Sequence, residues 1–190
     1  MPADPQVLFV ESHDSFSWNV IDCLPCARER VRVVSAAEAV DQLPRADVLV
    51  LGPGPTDPLR AGLVTLVHAA AERRVPTLGV CLGHQALGLA FGARLRRSTP
   101  AHGKVAMVEL RASRCFPGVT GALRAMRYHS LSLDDVRAPL EVVARLADGT
   151  VMAVEHRELP MAGLQFHPDS HQTPRGRELV TAFFRGVGFA

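Results

Sequence analysis

Short apolar runs that alternate with helix-period segments constrain this chain more than any other feature. Val7-Leu-Phe-Val10, Val31 to Val34, Ala46 to Leu51 and Pro76 to Val80 are each four to six residues of mainly β-branched and aliphatic side chains. Between them lie Ser15 to Arg30, with Phe16, Val20 and Leu24 four apart, then Leu59 to Arg74, and after the fourth run His84 to Phe91, closed by Gly92. A strand that is apolar on both faces must be covered on both faces, and the helical segments supply the cover. In the second half, Lys104 to Arg111, Leu123 to Tyr128, Leu140 to Leu146 and Thr150 to Glu155 read as strands close together. Asp148-Gly149 is a hairpin signal between the last two. Gly163 to Phe166 reads as one more strand, and about Thr173 to Phe184 as a last helix. The expected fold is α/β: an open, mostly parallel twisted sheet with helices on both faces, plus a smaller antiparallel β segment, in a single domain over residues 1–190.

Composition narrows the function classes. A hydrophobic fraction of 47% in 190 residues is enough for a core. Charged residues at 21% with a net charge of +2 argue against disorder and against a dedicated nucleic-acid binder, so no nucleic-acid partner is expected. Of the 21 basic residues all but Lys104 are arginine, scattered rather than clustered. Val48 to Leu51 and Val75 to Leu82 fall far short of the ~20 apolar residues of a membrane span, and Met1-Pro-Ala-Asp-Pro-Gln lacks the charged and apolar regions of a secretory signal. The expectation is a cytoplasmic protein with no membrane association, its four cysteines present as thiols.

In open α/β sheets the chemistry sits beyond the carboxyl ends of the strands. There the sequence places Gly79-Val-Cys81-Leu-Gly83 between an apolar run and a helix, the cysteine form of the G-x-S-x-G elbow. The turn is so tight that the neighbours two residues away must lack side chains. It lifts the sulfur to the sheet edge, leaves the backbone N–H of Leu82 for an oxyanion, and aims a helix N-terminus at the sulfur, which favours the thiolate. Of the eight histidines, His167 directly follows an apolar run and stands two residues before Asp169, the arrangement of a base oriented by a third group. His68 falls on a helix and is expected to be an ordinary structural histidine. Gly52-Pro-Gly-Pro55 follows a strand too, and its glycines are expected to permit unusual backbone geometry and to offer a second oxyanion donor. Cys23-Leu-Pro-Cys26 has redox spacing, yet it falls inside the expected first helix.

Gly79-Val-Cys-Leu-Gly-His-Gln85, Tyr128-His-Ser-Leu131 and Gln165-Phe-His-Pro-Asp-Ser170 together resemble the signature blocks of the class I, triad-type glutamine amidotransferases. His102-Gly-Lys104, Asp14-Ser-Phe16 and Val151-Met-Ala-Val154 narrow the likeness to the glutaminase components of anthranilate synthase and aminodeoxychorismate synthase. The likeness covers essentially the whole chain. It implies that Cys81 attacks the side-chain amide of L-glutamine, that His167 activates the thiol and then protonates the leaving ammonia, and that Asp169 holds the imidazole. It implies oxyanion donors at Leu82 and the Gly54 loop, and binding of the amino-acid end of glutamine by Gln85 and the Ser130-Leu131 backbone. It further implies a chorismate-utilising synthase as partner, contacted through Lys104, with no cofactor and no metal.

Three departures stand out. Asp169 occupies the place of the family's Glu, one methylene shorter. Glu11-Ser-His-Asp-Ser-Phe16 replaces Asp-Asn-x-Asp-Ser-Phe. Thr56 stands where many relatives have Gly, so a positive φ would be disfavoured there. These leave open an alternative, a non-catalytic regulatory or binding component with a weakened triad.

Overall fold

The computed structural model describes residues 4–189. Met1 to Ala3, part of the stretch read above as lacking a secretory signal, and Ala190 lie outside the described residues. The four apolar runs of the first half form β1 (Val7–Val10), β2 (Val31–Val34), β3 (Val48–Leu51) and β4 (Thr77–Val80). β1 pairs in parallel with β2 and β3, and β3 with β4. Successive side chains on a strand point to opposite faces, and each face meets its own helices. Val7, Phe9, Val48, Val50, Leu78 and Val80 pack with Val20 and Ile21 of α1 (Ser17–Asp22) and Leu179, Phe183 and Phe184 of α5 (Gly176–Gly186). Leu8, Val10, Leu49 and Leu51 pack on the other side with α2 (Ala36–Gln42), α3 (Leu63–Glu72) and α4 (Leu82–Ala90).

The second half adds β5 (Arg94–Leu110), β6 (Gly121–Asp134), β7 (Leu140–Arg145), β8 (Val151–His156) and β9 (Met161–Leu164). One nine-stranded sheet results, in the order β2-β1-β3-β4-β9-β8-β7-β5-β6. β9 lies parallel to β4, and the strands beyond it pair antiparallel, so the antiparallel segment continues the main sheet. Gly149, at φ +85°, makes the β7–β8 turn that Asp148-Gly149 announces.

Several expectations need correction. The first helix does not run from Ser15 to Arg30. It ends at Asp22, Pro25 cannot continue the ladder, and a single 3-10 turn at Arg28–Arg30 leads into β2. Cys23 and Cys26 therefore lie beyond the helix, and both are free thiols. The α2 helix has no counterpart among the expected elements. Its signal is Ser35-x-x-Glu38, which forms a capping box: Ser35 Oγ accepts from the Glu38 amide while the Glu38 carboxylate accepts from the Ser35 amide. The helix expected over Leu59 to Arg74 begins only at Leu63, after a turn closed by Gly62 at φ +72°. β5 and β6 are longer than the runs Lys104 to Arg111 and Leu123 to Tyr128. Register shifts between Arg97 and Ala101 and between His102 and Lys104 interrupt the alternation there without ending the strand. Among the described residues no helix is long and apolar enough to cross a membrane.

Candidate active site

The loops after β1, β3, β4 and β9 converge at one end of the sheet. Cys81 sits between β4 and α4 with φ +52° and ψ −97°, a conformation that costs a non-glycine residue free energy. The two glycines of the elbow are required by space. A Cβ on Gly79 would fall against the backbone of Gly83, and a Cβ on Gly83 against the carbonyl of Leu51. The Cys81 amide is anchored to the Leu164 carbonyl at 2.8 Å, tying the elbow to β9. As the cap of α4, Cys81 faces the first N–H groups of that helix, which lack intrahelical partners.

His167 follows β9 and meets Cys81 on one side and Asp169 on the other, with Nδ1 to Asp169 Oδ1 at 3.2 Å. Both side chains are 2% exposed, so little water screens the pair. Burial works against the imidazolium, but the hydrogen bonds and charges of Asp169 and Cys81 outweigh it and push His167 up to about 10. Its backbone is clamped as well. The His167 amide donates to the Met126 carbonyl of β6 at 3.0 Å, and the Thr173 hydroxyl donates to the His167 carbonyl at 2.8 Å. Phe16 and Tyr128, stacked on each other with centroids 5.0 Å apart, both meet the His167 ring edge-on. Phe16 is placed by its own loop: the Glu11 carboxylate accepts from the Asp14 amide and the Asp14 carboxylate from the Phe16 amide, each at 2.8 Å. Despite the cost of burial, hydrogen bonds from the His13 and Asp14 amides hold Glu11 below the usual carboxylate range. The altered opening Glu11-Ser-His-Asp-Ser-Phe16 thus still builds an ordered loop.

A cavity of about 260 Å³ opens in front of Cys81, lined by Gly54, Thr56, Gln85, Ser130 and Leu131 among others. Of the six residues expected to bind substrate, these five are thereby brought to one place, and the sixth, Leu82, directly follows Cys81. Leu82 packs under Gly54, which has room for no Cβ there. Neither Gly52 nor Gly54 adopts a positive φ, so the expectation of unusual backbone geometry is replaced by close approach to Phe9, Ser12 and Leu82. Thr56 has no positive φ either, and threonine is unstrained there.

Residues that sequence reasoning misses also reach this cavity. His102 and His129 line it. His129 Nδ1 contacts the Leu131 carbonyl at 2.9 Å, and Arg127 Nε donates to His129 Nε2 at 3.2 Å. Burial, then the Arg127 charge, pull His129 down to about 4, so it is neutral. Gln165, wholly buried, lies beside the sulfur. The available signal is its place at the end of the apolar run, two residues before His167. His68 is exposed on α3. Lys104 stands apart from the cavity, exposed on β5, in a polar cleft of about 460 Å³ with Arg96, Arg127 and Asp148. Among the described residues no cluster of three or more His, Cys, Asp or Glu is placed to hold a metal ion.

The family described as class-I glutamine amidotransferase matches residues 8–187. Anthranilate synthase component 2 of Azospirillum brasilense is 38% identical over 188 residues, covering 93% of this chain and 94% of that protein. Aminodeoxychorismate synthase of Streptomyces griseus is 39% identical over 184 residues, covering 94% of this chain and 25% of that protein. A solved structure from Thermoplasma acidophilum, described as one component of a GMP synthase, matches with a TM-score of 0.86 over 98% of this chain and 96% of that one. At 20% identity that likeness speaks for the fold alone.

Proposed function

The chain belongs to the class-I glutamine amidotransferases, and from that membership we propose that residues 1–190 form the glutaminase domain of a chorismate-utilising synthase, acting through Cys81, His167 and Asp169. The observation that carries the reading is the strained Cys81 in contact with a buried His167–Asp169 pair at the mouth of a cavity the size of a small metabolite.

In this reading Cys81 Sγ, its proton held by His167, attacks the side-chain carbonyl carbon of L-glutamine. The backbone N–H groups of Leu82 and the Gly54 loop receive the oxyanion, at a helix N-terminus that favours negative charge. Collapse of the adduct expels ammonia, with His167 Nε2 returning the proton and Asp169 holding Nδ1 throughout. A γ-glutamyl thioester remains, and a water deprotonated by His167 hydrolyses it to glutamate. Gln85 donates its Nε2 within the protein to the Leu131 carbonyl and to Gln165. That leaves its Oε1 to accept from the α-ammonium group of the substrate, with Ser130 and Leu131 beside it.

Ammonia protonates readily in neutral water and then is no nucleophile, so it is best passed directly to a synthase. The relatives named above for anthranilate synthase and aminodeoxychorismate synthase support a partner of that kind. Lys104, with the exposed apolar Val105 and Met107 on the same strand, is the proposed contact. A cytoplasmic address, with no nucleic-acid, membrane, metal or cofactor requirement, belongs to the same reading.

The test is labelling of the native chain with a glutamine-analogue electrophile, followed by glutaminase assays with candidate synthases. Cys81 is expected to react first and to be protected by glutamine. Burial pushes the Cys26 thiol up to about 11 and the Cys115 thiol up to about 12, and raises Cys23 as well, so all three should lag. Labelling without preference would leave the non-catalytic, regulatory reading in its place, and a Cys81→Ala variant that still hydrolyses glutamine would remove Cys81 as the nucleophile.

A further inference from the structure

We infer that Gln165 is a catalytic residue of this site, a fixed amide donor to the Cys81 sulfur whose direction is set from the Leu131 carbonyl through Gln85. The inference rests on the reading of Cys81 as nucleophile and extends it to a residue outside the Cys81–His167–Asp169 set.

Three hydrogen bonds carry it. Gln85 Nε2 donates to the Leu131 carbonyl and to Gln165 Oε1, both at 3.3 Å, and Gln165 Nε2 donates to Cys81 Sγ at 3.7 Å. Gln165 is 0% exposed, so its amide cannot turn to water for a partner, and Gln85, 4% exposed, meets only the cavity. An amide's oxygen and nitrogen are alike in shape, and hydrogen-bond logic assigns them. Here the logic has a fixed starting point, because a backbone carbonyl can only accept. The Leu131 oxygen therefore requires the nitrogen of Gln85 on its side. That nitrogen's second hydrogen requires the oxygen of Gln165, and Gln165 is left with only its nitrogen to present to sulfur. The His129 ring nitrogen at 2.9 Å occupies the other side of the Leu131 oxygen, and Arg127, which can only donate, holds the opposite nitrogen of that ring. Arg127 thereby makes His129 Nδ1 the donor. Two donors lock the carbonyl, and the polarity of the whole chain of bonds follows.

The consequence at sulfur is asymmetric. A donor with no alternative acceptor stabilises a thiolate and gives a neutral thiol much less, since hydrogen bonds to an ionised partner are about twice as strong as neutral ones. Gln165 thus adds a second hydrogen bond to the one from His167, from a direction the imidazole does not occupy. It is also fixed in place before reaction. Gln165 directly follows β9, and its own amide is bonded to the Met152 carbonyl at 2.9 Å.

The experiment uses the full chain without partner or substrate, measuring iodoacetamide alkylation of Cys81 against pH by mass spectrometry. Gln165→Met keeps length and removes the donor. It is expected to slow alkylation at pH 7 about tenfold, the scale of one charge-assisted hydrogen bond. Gln165→Glu keeps shape and replaces the donor with a negative charge, so it should slow alkylation further, and increasingly so as the pH rises through the carboxylate range. In glutaminase assays Gln165→Met should lower kcat about tenfold while KM for glutamine stays within about twofold, a split that looser packing alone would not give. Alkylation profiles of both variants within about twofold of native would overturn the inference and leave the nucleophile reading intact. A native Cys81 that reacts no faster than Cys23, Cys26 and Cys115 would overturn both. If the variants do not fold, the side-chain NH2 signals of Gln165 in the ¹⁵N-labelled native chain decide. They are expected to shift when Cys81 is alkylated, and unchanged signals would refute the contact.

Discussion

At the scale of single residues, the geometry is most informative at Asp169, one of the three places where the resemblance leads one to expect another residue. The shorter acid reaches His167 directly, at 3.2 Å, from a side chain nearly as buried as the imidazole. That distance exceeds the 2.7–2.9 Å usual for a charge-assisted pair, so a longer acid has room to tighten the contact. An ordered series is expected in partner-stimulated glutaminase assays. Cys81→Ala and His167→Ala should abolish turnover, and Asp169→Glu should match or exceed the native rate. Asp169→Ala should retain a measurable fraction, its loss bounded by the ~10⁴ known for an orienting aspartate and reduced because a thiol ionises more easily than a hydroxyl. An inactive but folded Asp169→Glu would mean that the site is built around the shorter acid. The same contacts govern the proton on His167. In the native chain its ring should keep the imidazolium ¹⁵N signature well above pH 7, and Cys81→Ala, by removing one of the two groups that hold the charge, should bring its titration down. A native His167 that titrates near 6.5 would contradict this account.

At the scale of elements, the glycines separate into two kinds with different costs. Gly83 is a glycine because α4 lies directly on β3, and its added Cβ would meet the Leu51 backbone, which cannot step aside. Gly92 is a glycine because the chain must turn at φ +86° to leave α4, and nothing lies within 4 Å of it. Urea denaturation should separate them. Gly83→Ala is expected to cost at least the ~3 kcal/mol upper end of overpacking and to misplace Cys81. Gly92→Ala should cost only about 1–2 kcal/mol of backbone strain and leave glutaminase activity near native. Equal costs would mean that the elbow has slack. Pro25 and the capping box at Ser35 act at this scale as well. The first stops α1 well short of the end expected at Arg30, and the second starts a helix in a stretch with too little periodicity to announce one.

At the scale of the whole molecule, the two cores and the site share buried neutral histidines. His84 and His129 are pulled down to about 3 and about 4, burial being the main cause in both. An unfolded histidine titrates near 6.5, so below that pH the unfolded chain takes up protons that the folded chain refuses. Stability is then lost as pH falls from about 6.5 to about 4 for His129 and on to about 3 for His84, the sign expected when the unfolded state binds more protons. Urea midpoints at pH 7, 6 and 5 should fall in that order, and a flat series would show that neither ring is held neutral. Partner coupling also belongs to this scale. Lys104 lies in a cleft separate from the catalytic cavity, so Lys104→Ala should weaken synthase association or glutamine-dependent synthesis more than intrinsic glutaminase activity. Equal losses would argue against an interface role.

The parallel half of the sheet and the elbow are legible in the sequence because they rest on local rules. An apolar run of four residues such as Val48-Leu-Val-Leu51 has few ways to be buried other than as a central strand. Gly-x-Cys-x-Gly between a strand and a helix has few physical explanations besides a nucleophile turn. Cys81, His167 and Asp169 can be named as candidates from the elbow taken together with His-x-Asp after an apolar run. The clamp around His167 cannot. β6 is last in the sheet order, far from β4, yet its Met126 bridges to His167, and its Tyr128, His129, Ser130 and Leu131 reach the cavity. That return depends on the register shifts of the β5–β6 ribbon and on contacts between residues some forty positions apart, neither of which leaves a periodic trace in the chain. The same holds for the Leu131–Gln85–Gln165–Cys81 hydrogen bonds. Nothing local in the sequence pairs these side chains, and only the fold, by bringing them together in a buried site, obliges their amides to point at one another.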